Sequence, residues 1–438
     1  MRIGWSALWL CACATATPRP LLTRVFPAPD GVGLPMTLTM EHGTLELPTP
    51  DATMHVDMLV HAVTGTLVES VRLDGAPHFF AVVLDARLDV RCADELATDV
   101  CDVRPIEIPP EAGHPIDDAH RLWAIHGDAL VIEGVLSDAT PEVGWSSVPT
   151  HVGSDLVEIQ AASLLPVPLS FAHDHVTLVA SVRIDDRPMV TSHASSYDGA
   201  LDAFALTALA STALTTERVA CGADAIDVTY DEDFPGRERA MDLEALACRG
   251  LDHMRSRWGE PEGEGPLRLW LSPRRGIGYY LHERTLVVPA YYGWEERPDG
   301  GSWSQHEESP FERFVTEQAL LHELAHSWFS RSPSPRWPLL HEGITAYAAY
   351  STLVAFGLAT WSSSALDETV ARAPSLDAYD IGQVFLGDLE CARGTAAVDE
   401  VLRAARMPAT SDEAWEALTN QQFGDVGTRW LAAARGPS

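Results

Sequence analysis

Lysine is absent from this chain of 438 residues, so all 30 of its basic side chains are arginines. They stand against 63 acidic residues, leaving a formal charge of −33. A field of that sign repels phosphate backbones and anionic lipid, which excludes nucleic acid and charged membrane surfaces as expected partners. A highly soluble acidic surface is the simplest reading. Long apolar runs are also scarce. No segment reaches the ~20 apolar residues that cross a bilayer, so no membrane insertion is expected beyond an N-terminal anchor. No C-x-x-C pair occurs, which removes a cysteine-based zinc site. No internal repeat of fixed period is visible.

The N-terminus begins MRIGWSALWLCACATATPRP. One charge, Arg2, precedes a short apolar run and a cluster of small residues, the pattern of a secretory signal over residues 1–20. Leu10-Cys11-Ala12-Cys13 also resembles a lipoprotein box. Two destinations follow, an anchored form in the cell envelope and a cleaved extracellular one. Seven cysteines fit export. Cys92 with Cys101, and Cys221 with Cys248, are placed to form local disulfides in an oxidising compartment. Five reduced cysteines in a cytosolic protein are the alternative. Cys391 is left over and is expected to be a buried thiol.

The pattern along the chain predicts α+β architecture in more than one domain. From about residue 34 to 215, stretches such as HVDMLVHAVTGTL, HFFAVVLDARLDVRC and HVTLVASVRI alternate apolar and polar residues between turn formers. A β-rich domain over 21–220 is expected. A second domain, 221–438, opens with a strand, AIDVTY. A helix follows from Asp242 to Gly259, then the strands PLRLWLS and RTLVVPA. Helices run from there almost to the end.

The first of those later helices contains LHELAHSWF, with H-E-x-x-H at His322, Glu323 and His326. Two imidazoles at i and i+4 leave one face of a helix together and can hold one Zn²⁺. Glu323 then lies beside the metal, where it takes a proton from bound water. With 17 histidines in the chain, the pentapeptide alone is weak evidence, and a core helix with two half-buried histidines is the bland alternative. A catalytic zinc wants a third ligand and an open position. SPSPRWPLLHEGITAYAAY offers Glu342 at the start of the next helix, after a Pro-rich turn. Tyr347 and Tyr350 follow at helical spacing and are read as packing around the site.

HELAHSWF followed by LLHEGITAYAAY resembles the zinc-binding segment of the gluzincin metallopeptidases of the aminopeptidase-N type. The connection between His326 and Glu342, 15 residues, is shorter than usual and resembles that of small peptidase-MA-like relatives. AYDIGQVFLGDLE resembles the segment that carries the family's catalytic tyrosine, here Tyr379. The resemblance implies a thermolysin-like catalytic domain with a small sheet and a helical half. It implies one Zn²⁺ per chain held by His322, His326 and Glu342, with Glu323 as the base and Tyr379 as the oxyanion donor. The implied activity is hydrolysis of peptide or protein substrates. The family's G-A-M-E-N motif for a free α-amine is missing. Gly278 and Glu283 stand in the comparable region and are the candidate substrate residues, so aminopeptidase-like cleavage is left open. His341 stands where the family has Asn. The alternative of another class is a catalytically silent gluzincin fold, serving as a binding or scaffold protein of the cell envelope.

Overall fold

The computed structural model describes residues 25–26, 36–37, 52–74, 78–93, 101–106, 120–136, 151–152, 156–160, 164, 176–191, 196–200, 207–233, 237–262, 265–272, 279–281, 284–289, 294–296, 303–305, 310–329, 338–360, 378–406 and 412–424. Among these residues no helix is long and apolar enough to cross a membrane. The signal segment, with Cys11 and Cys13, lies outside them. The chain divides into two compact units, Met1–Leu214 and Thr215–Ser438.

The described residues of the first unit form strands and the turns between them. Its largest sheet has six, in the order Ser196–Ala200, Val176–Ile184, Ala52–His61, Thr66–Leu73, Ala129–Val135 and Leu88–Cys92. The central pair Ala52–His61 and Val176–Ile184 runs parallel, and its neighbours are antiparallel. Period-two alternation sends Met54, Val56, Met58 and Val60 into the core. A three-stranded sheet places Asp102–Ile106 at its edge, where Pro105 removes no central ladder bond. Cys92 and Cys101 are joined as a disulfide.

One inward position of the six-stranded sheet carries a buried carboxyl. In Thr66–Leu73 the buried residues are Leu67, Glu69, Val71 and Leu73. Glu69 is fully buried, with Met58 and Ile132 opposite it on the neighbouring strands. Neither carboxyl oxygen has a hydrogen-bond partner, and burial pushes its pKa well above the ordinary glutamate range.

The second unit pairs a small sheet with helices. Five strands lie in the order Leu214–Cys221, Asp224–Asp231, Leu267–Ser272, Thr285–Pro289 and Tyr279–Leu281. The central three are mutually parallel, and Tyr279–Leu281 is an antiparallel edge. The crossover from Asp224–Asp231 to Leu267–Ser272 is α1, Arg237–Trp258. It begins five residues before the expected Asp242. Arg237 to Met241 carry no helix breaker, and Ala240 and Leu243 already bury in the core. Disulfide Cys221–Cys248 ties α1 to the first strand.

Among the described residues the remaining helices are α2 (Pro310–Phe329), α3 (Pro338–Ala355), α4 (Ala378–Arg393), α5 (Thr395–Arg406) and α6 (Asp412–Phe423). One apolar cluster joins the sheet to each of these helices and to α1. Cys391 corrects an expectation: it is exposed, not buried. It lies in the last turn of α4, in a run from Cys391 to Ala396 that faces solvent, while Leu386 and Leu389 turn inward.

Candidate metal centre

Helix α2 starts on a proline, which suits the first helical position, and has no glycine or proline after it. Its second half is buried on every side, from Leu320 to Phe329. The packing against α1 is close at Gly250. A Cβ there would sit 2.6 Å from Leu321 and 3.0 Å from Leu324, so those leucines occupy the place of a side chain. Two bonds hold the C-terminal end: Trp328 Nε1 donates to the Gly259 carbonyl at 2.7 Å, and the Glu262 amide to the Ser327 carbonyl at 2.6 Å.

That buried half carries three titratable groups. His322, Glu323 and His326 are 7%, 5% and 4% exposed. Such groups are costly in a core unless they find partners. The helical spacing brings them together. The imidazoles of His322 and His326 stand edge to face, with centroids 5.0 Å apart. From the first turns of α3, Glu342 reaches both: its Oε2 is 3.1 Å from His322 Nε2 and 3.7 Å from His326 Nε2. One ligand atom from each of the three residues lies within 4.8 Å of the others. Glu323 Oε2 is 3.8 Å from His326 Nε2. Burial first, and then the Glu342 charge, hold the Glu323 carboxyl well above its usual range. Two imidazole nitrogens and a carboxylate oxygen converging on one point form a His₂Glu donor set that fits zinc.

Thr345 is a neighbour that motif reading missed. Its hydroxyl donates to the Glu342 carbonyl at 2.9 Å and lies 3.4 Å from His322 Nε2. The i, i+3 spacing from Glu342 was the available signal. Tyr347 is fully buried in the apolar cluster of this unit, and it works as a polar link. It accepts from Arg257 Nη2 at 3.2 Å and donates to Glu390 Oε2 at 2.8 Å. Burial drives its phenol pKa far upward, so it stays a donor. Arg257 is paired with Asp399 at 2.7 Å, and the indole of Trp258 donates to the same carboxylate at 2.9 Å. Arg257 also bonds the Ser351 hydroxyl. One guanidinium thus clamps α1, α3 and α5, and Tyr347 extends the clamp to α4. Tyr350 donates to the Thr360 carbonyl at 3.0 Å, towards the far end of α3.

The other expected residues are placed less fully. Tyr379 lies in the first turn of α4, and its side chain is outside the described residues, as is that of His341. Gly278 and Glu283 are also outside them. They flank the edge strand Tyr279–Leu281, and both that strand and Thr285–Pro289 contact α2.

Compared by sequence, the chain matches no family model and no curated protein. Compared by structure, it is similar to an M1 zinc metallopeptidase from Deinococcus radiodurans, at a TM-score of 0.51 and 15% identity, covering 89% of this chain and 94% of that one. It is similar to an aminopeptidase N family protein from Idiomarina loihiensis, at a TM-score of 0.58 and 12% identity, covering 87% and 75%. Yeast LTA4 hydrolase in complex with bestatin gives a TM-score of 0.50 at 13% identity, covering 89% and 68%. The fold of this chain is the aminopeptidase-N-like gluzincin fold.

Proposed function

We propose that the protein is a zinc-dependent peptidase that hydrolyses peptide bonds with a metal-activated water. One observation carries the reading: His322, His326 and Glu342 offer ligand atoms within 4.8 Å of one another, and Glu323 is buried beside them. His322, His326 and Glu342 hold one Zn²⁺ per chain. When bound, the ion supplies Lewis acidity and brings the pKa of a water in its open position towards ~7.

Glu323 accepts a proton from the attacking water and hands it to the leaving amine. Its position suits the task, because the carboxyl is buried 3.8 Å from His326 Nε2 and so works shielded from bulk water. Tyr379 donates a hydrogen bond to the oxyanion, a role typically contributing on the order of 3 kcal/mol. The peptide lies along the edge strand Tyr279–Leu281, the last in its sheet, as an added strand. Gly278 and Glu283 flank the bound chain there, with Glu283 as the anchor for a free α-amine. One fold neighbour, named as an aminopeptidase N family protein, supports cleavage from the N-terminus. The two disulfides support export, to the cell envelope or beyond it, and the N-terminal segment is its signal.

The test is metal analysis of the purified chain together with peptide-library hydrolysis by the parent and by Glu323→Gln. The reading expects about one zinc per chain in both proteins, removable by chelator, and hydrolysis only in the parent. Hydrolysis retained by the variant sinks the mechanism. A chain without zinc at neutral pH points to a silent binding or scaffold protein instead.

A further inference from the structure

Helices α3 and α4 meet through backbone. A Cβ built on Gly382 of α4 would overlap the Cα, carbonyl carbon and carbonyl oxygen of Gly343 in α3. Both glycines are buried. In a helix interior each costs about 1 kcal/mol relative to alanine, so local propensity argues against glycine at both. The contact supplies the reason: no residue with a side chain lets two helix backbones come this close.

The positions are specific. Gly343 follows Glu342 directly, and Gly382 comes one turn after Tyr379. A second fastener lies farther along the same pair, where Tyr347 of α3 donates to Glu390 of α4 at 2.8 Å. Glu390 is steadied in turn by the Thr395 hydroxyl at 2.7 Å. Helix α3 is also held to α1, through Tyr347 and Ser351 to Arg257. Forcing the pair apart therefore displaces α4 and leaves Glu342 with its histidines.

We propose that the Gly343–Gly382 crossing, locked by the Tyr347–Glu390 bond, is a spacer that sets the distance from ligand Glu342 to Tyr379, which makes Gly382 a positioning residue for hydrolysis. The inference rests on the assignment of Tyr379 as the oxyanion donor. A displacement of the order of one ångström at such a donor is worth roughly 10²-fold in rate.

The experiment compares Gly382→Ala, Tyr379→Phe and the double variant, as full-length zinc-loaded chains, on the best substrate from the peptide library. The spacer predicts a kcat for Gly382→Ala lower by roughly 10²-fold, with KM unchanged. It also predicts parent-like zinc content and a parent-like visible spectrum of the cobalt(II) form. The double variant should be no slower than Tyr379→Phe, because the tyrosine being positioned is already disabled. A double variant slowed by both factors overturns the proposal, and so does a Gly382→Ala enzyme with parent kcat. If Gly382→Ala does not fold, Glu390→Ala replaces it. The same kcat-only loss is then expected at smaller size, restored by Glu390→Gln, and parent kcat in Glu390→Ala overturns the proposal. A Tyr379→Phe enzyme as fast as the parent refutes the tyrosine assignment and the spacer with it, whereas a slow Tyr379→Phe beside a failed spacer result refutes the spacer alone.

Discussion

Two glutamates in this molecule are equally hidden and differ in everything around them. Glu69 lies in the core of the β unit between Met58 and Ile132, without a hydrogen-bond partner. Glu323 lies in α2, 3.8 Å from His326 and under the field of Glu342. Burial is the leading cause of a raised pKa in both. A raised pKa therefore does not mark a site. The mark is convergence: two imidazoles and a second carboxylate within reach of one point, on helices fixed by other contacts. Glu69 is the control that the protein supplies for itself.

The comparison can be broken most sharply at the ligands. His326→Ala should remove the zinc and all hydrolysis, read by metal analysis and peptide assay, whereas Glu69→Gln should leave both at parent values. Metal content unchanged in His326→Ala would refute the assignment of the centre. Next in size is the clamp. Arg257→Met leaves the Asp399 carboxylate buried with its main partner gone, and breaking such a pair costs about 3–5 kcal/mol. Denaturant unfolding of the second unit should show this, and an unchanged midpoint would refute it.

Glu69 itself predicts a smaller, pH-dependent effect. Its folded pKa is raised, so folded and unfolded chains both hold the proton at low pH, and no penalty exists there. Above the ordinary glutamate value near ~4.3 the unfolded chain releases the proton and the buried group does not. Stability is lost as pH rises from that value through the folded pKa. Glu69→Gln removes this slope. Its unfolding midpoint should match the parent near pH 4 and exceed it near pH 8; parallel curves would refute the account. Smallest of all are the two surface pairs of Arg313, with Glu317 at 3.2 Å and Asp242 at 3.1 Å, where Arg313→Ala should change stability by no more than ~1 kcal/mol.

The parts of the site that were legible in the sequence are those fixed by short-range spacing. His322, Glu323 and His326 share a helix with no breaker, and Glu342 heads the next one. Their convergence follows from i, i+4 geometry and one turn. The β character of the first unit was legible for the same reason, through period-two runs such as Thr66–Leu73. The misses are of another kind. Glu69 points inward because strand register outranks the preference of a single carboxyl. Cys391 is exposed because its side of the last turn of α4 has nothing packed on it. Arg257 reads as one more surface arginine, and its clamp joins residues 90 and 142 positions away. Gly343 and Gly382 look like weak points of two helices until the helices are seen touching. Long-range contact is the common factor, and local pattern holds no record of it.

The clamp around Arg257 separates the frame of the site from the site itself. It includes none of the three candidate ligands His322, His326 and Glu342. The helices that carry His322, His326 and Glu342 are thus joined by bonds made elsewhere in the unit, so a change at one of those three side chains leaves the frame that presents the other two in place.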